Sequence, residues 1–185
     1  PLIIDMGLRP RMDADAVEPA RDLCLQAIDS LADDPQERVM KLLREKHAPT
    51  PINRSGLGTV EGIEAVTADE LLPRWRERAL PKGGVIAIAG DVDASKAAAQ
   101  LNTLLKGWTG AAKEVTWGKS ATRGYHHEPD ETNQAHIAIA WDAPSENDPG
   151  CWPERVANSV LSGGMSGRLF TEVREKRALC YSVYA

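Results

Sequence analysis

Apolar positions recur at helical spacing over residues 13–32, DADAVEPARDLCLQAIDSLA, where Val17, Leu23 or Cys24, Ala27 or Ile28 and Leu31 share a face. Asp33-Asp34-Pro35 interrupts that pattern. Asp34 can cap a second helix with Pro35 at its first position, where a missing N–H costs nothing. That helix runs through QERVMKLLREK, with Val39, Leu42 and Leu43 on one side. Residues 48–58, APTPINRSGLG, read as a Pro- and Gly-rich loop. Thr67 and Glu70 stand three residues apart, the spacing of a capping box, which predicts a helix from Ala68 that Pro73 bends.

The period then changes. After the turn PKGG, the β-branched run VIAIAG (85–90) reads as a strand, and Asp91-Val92-Asp93 ends it. An amphipathic helix follows in ASKAAAQLNTLLKGW, with Leu101, Leu104 and Leu105 on its apolar side. Residues 109–133 are polar and irregular and form the linker candidate. QAHIAIAW (134–141) alternates as a second strand, expected to lie in a different sheet from the first, and PSENDPG turns the chain. CWPERVANSVLS predicts a helix ended by Gly163-Gly164. Ser166 is placed to cap a last helix, GRLFTEVREKRA, before the strand CYSVYA.

Composition narrows the function classes. Of 185 residues, 42% are apolar and 26% charged, ordinary for a domain that buries a core. A net charge of -5 argues against a generic nucleic-acid binder, which presents a basic face. No apolar run approaches the ~18 residues of a membrane span, and PLIIDMGLRPRMD lacks the basic start and apolar core of a signal peptide. The three cysteines, Cys24, Cys151 and Cys180, form no C-x-x-C pair and read as buried free thiols. His47, His126, His127 and His136 form no metal-binding pattern, so the chain is expected to hold no complete metal site of its own.

The densest chemistry lies in LSGGMSGRLFTEVREKRALCYSVYA (161–185). In a helix from Gly167, the residues Leu169, Phe170 and Val173 form the buried face. Arg174 precedes Tyr181 by seven residues, and a helix turning back into a strand brings such a pair together. A guanidinium fork beside a phenol can hold a peptide carbonyl or stabilise an oxyanion. The plainer reading of the same residues is a surface Arg and a half-buried Tyr.

The segment LSGGMSGRLFTEVREKRALCYSV resembles the signature in the second domain of insulinase/pitrilysin-family peptidases of the bacterial, processing-peptidase-like branch. GLGTVEGIEAVTADELLPRWRERALPKGGVIAIAGDVD is similar to the end of that family's first domain. The resemblance implies an α+β metallohydrolase fold, with mainly antiparallel sheets, flanking helices and two homologous domains. Residues 1–110 would be the C-terminal part of the first domain, 111–133 the linker and 134–185 the N-terminal part of the second, inactive domain. In the family two halves close around an unfolded peptide. One carries zinc on H-x-x-E-H and a downstream Glu, and the other supplies an Arg and a Tyr to the substrate.

Those last two roles fall on Arg174 and Tyr181, and the turn Gly163-Gly164-Met165 resembles a stretch through which partner subunits touch substrate. The H-x-x-E-H motif would lie before Pro1. The downstream Glu aligns with Ala27, after Gln26, and neither is a carboxylate; Glu18 comes too early and Asp29 is a poor substitute. The resemblance therefore implies a zinc-less half of an endopeptidase, inactive alone, whose partners are a peptide and a zinc-bearing subunit or half. A silent scaffold subunit of the same fold, and part of a one-chain peptidase with its zinc motif upstream, are the alternatives. The compartment stays open between bacterial cytoplasm and periplasm.

Overall fold

The computed structural model describes residues 1–120 and 123–185; Ala121 and Thr122, inside the expected linker, lie outside the described residues. Seven α-helices are found among them: α1 (Leu2–Leu8), α2 (Ala14–Asp29), α3 (Pro35–His47), α4 (Val60–Ala65), α5 (Ala68–Arg78), α6 (Ala94–Leu104) and α7 (Cys151–Ser162). A 3-10 turn, Ser30–Asp33, follows α2, and a π-helix spans Phe170–Glu175. The chain divides into two compact units, Pro1–Ala138 and Ile139–Ala185.

The helix starts follow their caps. The Asp13, Asp34 and Asp93 carboxylates each accept from the backbone N–H three residues on, Ala16, Glu37 and Lys96, at 3.0 Å. Each bond satisfies one of the orphan donors of a first helical turn. At α5 the Thr67 N–H donates to Glu70 Oε2 at 3.3 Å, and Pro73 lies inside the helix, as its position in the sequence implies.

Within the first unit, Arg21 joins α2 to the end of α4. Its guanidinium donates to the carbonyl oxygens of Ile63, of Glu64 at 3.1 Å and of Val66 at 2.6 Å. A cation thus closes the negative end of a short helix whose last carbonyls have no intrahelical partner. Trp75 ties α5 to α1 through an Nε1–H bond to the Gly7 carbonyl at 2.8 Å. Arg38 on α3 reaches 90 and 92 residues along the chain to Glu128 and Asp130, the latter at 2.6 Å. The Gly118 N–H donates to the Thr50 carbonyl at 2.9 Å beside a lone antiparallel bridge of Pro49 with Ser120.

The sheet-rich α+β expectation is overturned. Among the described residues no strand is formed, and the Pro49–Ser120 bridge is the sole ladder-type contact. The two alternating runs fall in irregular backbone, with Val85 90% and Ile137 83% exposed. Alternation marks residues that suit a pleated surface, but a strand exists only when a neighbour about 4.8 Å away accepts its N–H groups. Neither run has such a neighbour here, so the expectation of two separate sheets falls with the sheets themselves. CYSVYA likewise forms no strand.

Smaller differences have local causes. Helix α6 stops at Leu104, where Gly107 turns the chain at φ +88°. Helices α1 and α4 are too short for their apolar periods to stand out. Burial is sparse: Val17 on α2 and Cys151 on α7 are the buried apolar residues among those described. Cys24, expected to be buried, is exposed.

Candidate functional site

The site is built within the second unit, from the end of α7 onward. Gly163 takes the C-cap of α7, and its N–H donates to the Ser159 carbonyl at 2.7 Å. A Cβ at this position would lie 2.4 Å from that carbonyl oxygen, so only glycine fits without movement. Gly164 follows at φ +115°, a conformation that side chains oppose. The Gly167 N–H closes the turn on the Gly164 carbonyl at 2.9 Å. Gly163 and Gly164 thus end the helix, as their positions predict, and set up the next element.

That element is the π-helix Phe170–Glu175 in place of the expected regular helix, entered from Leu169 with no side-chain cap there. A π-turn widens the helix by one residue, and such turns recur at functional sites. It ends with Ala178 in the left-handed region at φ +49°. The Ala178 N–H donates to the Arg174 carbonyl at 2.9 Å and the Leu179 N–H to the Val173 carbonyl at 3.1 Å. These bonds satisfy terminal carbonyls and reverse the chain. The Ala185 N–H then donates to Ser162 Oγ at 2.8 Å, so the last residues return to the end of α7.

The reversal brings together the two residues that the spacing pairs. Arg174 Cζ lies over the Tyr181 ring, 4.9 Å from its centroid. It also lies over the Phe170 ring, at 4.6 Å. Both distances are within the range of cation–π attraction. Arg174 Nε faces Glu175 Oε1 at 3.7 Å. The Arg174 side chain is 34% exposed and Tyr181 is 85% exposed, so the pair is open to a ligand. Lys176 Nζ bonds Glu172 Oε1 at 2.6 Å on the same turn, and that bond holds the Glu172 carboxyl below its ordinary range.

The sequence reads Phe170 only as part of a buried helix face and does not single out Ala178. Phe170 stands four residues before Arg174, the spacing of neighbours on a helix surface, which was the available signal. Ala178 gave none, because left-handed helix ends usually carry glycine. Ala27 and Gln26 lie on α2, with Glu18 and Asp29, and no group of three or more His, Cys, Asp or Glu able to hold a metal ion is present among the described residues. No helix among them is long and apolar enough to cross a membrane.

Comparison with known proteins converges on the same segment. The family described as the Peptidase M16 inactive domain matches residues 65–185. A protein from Streptomyces coelicolor named an uncharacterized zinc protease is 32% identical over 195 residues, covering 100% of this chain and 42% of its own length. Another so named, from Mycobacterium leprae, is 30% identical, covering 100% of this chain and 43% of its own length. A more distant relative from Helicobacter pylori, 26% identical over 78% of this chain and 34% of its own length, is named a non-peptidase homolog. The chain spans less than half the length of these curated relatives. With the matched stretch covering the glycine turn, the π-helix, Arg174 and Tyr181, the chain belongs to the insulinase-type M16 peptidase family, in the region of its inactive domain.

Proposed function

We propose that this chain belongs to the zinc-less half of an M16 endopeptidase. In this reading it binds an extended peptide and presents Arg174 and Tyr181 to a zinc site carried by another half or subunit. The stacking of Arg174 on Tyr181 carries the reading. A loose arginine would lose rotamer freedom on meeting a substrate, whereas a stacked one is already ordered. Its guanidinium N–H groups and the Tyr181 hydroxyl are donors for a peptide carbonyl and for the oxyanion that develops from it. The glycine turn at Gly163-Gly164 offers backbone to the same peptide. The division into 1–110, 111–133 and 134–185 belongs to the same proposal. In this reading zinc belongs to the other half, since the resemblance aligns Ala27 with the ligand Glu.

Hydrolysis of a quenched fluorescent peptide by the complete protein with its zinc-bearing partner or half tests this. Arg174→Ala and Tyr181→Phe should each lower kcat/KM by ~10²-fold or more. Arg174→Lys should fail as well, since an ammonium lacks the planar fork. Circular dichroism should stay unchanged, because neither substitution empties an apolar core. Wild-type turnover in both Arg174→Ala and Tyr181→Phe would leave the scaffold reading, which the name of the Helicobacter relative favours.

A further inference from the structure

We infer that Phe170 is a positioning residue that fixes the Arg174 guanidinium for the substrate. The inference rests on the clamp proposed above for its kinetic arm and on geometry alone for its spectroscopic arm. Arg174 Cζ lies over two rings, Phe170 at 4.6 Å and Tyr181 at 4.9 Å, and its Nε faces Glu175. With both rings and Glu175 against it, the Nη edge is what the guanidinium offers to a planar acceptor. Tyr181 is highly exposed and sits on the returning tail, so it is a poor fixed wall by itself. Phe170 is half-buried and belongs to the same π-helix as Arg174. It supplies the more fixed of the two rings against the guanidinium, and Tyr181 the more exposed one. Phe170 has no polar atom and touches no reacting group; it acts through Arg174.

Two measurements decide this. In the full chain, the side-chain protons of Arg174 should be shifted upfield by the ring above them. Phe170→Leu should move those signals toward exposed-arginine values, and Phe170→Tyr, which keeps the ring, should retain them. In the complete enzyme, Phe170→Leu should lower kcat by roughly tenfold with little change in KM, and Phe170→Tyr should restore it. In an Arg174→Ala background Phe170→Leu should cost nothing further, because its route to the substrate is gone. Unmoved Arg174 signals in Phe170→Leu, or a full additional loss in the Arg174→Ala background, overturns the inference. Full turnover in Arg174→Ala alone strikes the clamp and not the stacking, which the spectrum still decides.

Discussion

Residues 85–90 and 134–141 contrast with residues 163–181. The first two stretches carry strong β-type alternation yet form no ladder, and their isoleucines and valine face solvent. The third carries only a short helical period yet closes a defined structure: a glycine turn, a π-helix, a left-handed reversal and a stacked Arg–Tyr pair. The difference lies in where the partner of each signal sits. A cap, a glycine turn or an (i, i+4) stack finds its partner within a few residues. A strand finds it on another strand, at a distance in sequence that alternation does not encode. Local signals are satisfied wherever they occur, and pairing signals only where a neighbour is present.

Substitutions can break that contrast directly. Gly163→Ala should be the most damaging to stability, because its Cβ would meet the Ser159 carbonyl oxygen at 2.4 Å. A loss on the order of 2 kcal/mol is expected, seen as a lowered midpoint in urea unfolding. Ile137→Ser, in a run with a far stronger hydrophobic pattern, should change stability by less than about 0.5 kcal/mol, since the side chain is already in water. The reverse ranking would mean that the alternating run is buried and the glycine turn slack.

A smaller effect sharpens the same point through pH. Lys176 holds the Glu172 carboxyl below the ordinary carboxylate range, first by a side-chain hydrogen bond and then by its charge. A carboxyl lowered in the folded state adds stability above its unfolded pKa and loses it as pH falls through the lower folded value. Unfolding midpoints should therefore decline below about pH 4.5, and Glu172→Gln should flatten a small part of that decline. Because both groups are exposed, 0.5 M salt should reduce the difference between the two proteins.

The same contrast explains what was legible in the sequence. Asp34-Pro35, Thr67 with Glu70, and Gly163-Gly164 announce helix boundaries that the structure contains. The seven-residue interval from Arg174 to Tyr181 announces a contact, and the rings and guanidinium meet. The sheets were not legible, because Val85 and Ile137 state a preference without stating a partner. The π-helix was missed because a one-residue widening leaves the apolar positions Leu169, Phe170 and Val173 compatible with an ordinary helix. The reversal at Ala178 was hidden by a residue that seldom adopts it. Arg21 was also unreadable, since its carbonyl partners lie 42 to 45 residues away.

The central claim is that Arg174 and Tyr181 face a bound peptide, and photo-crosslinking measures it most directly. In the complete protein with its zinc-bearing half, Tyr181 is replaced by a benzophenone amino acid (Tyr181→p-benzoylphenylalanine) and irradiated with a labelled peptide. The account predicts a covalent adduct at position 181 that excess unlabelled peptide suppresses and that Arg174→Ala largely abolishes. Peptide bound by the complex with no adduct at position 181, or an adduct indifferent to Arg174→Ala, would contradict it.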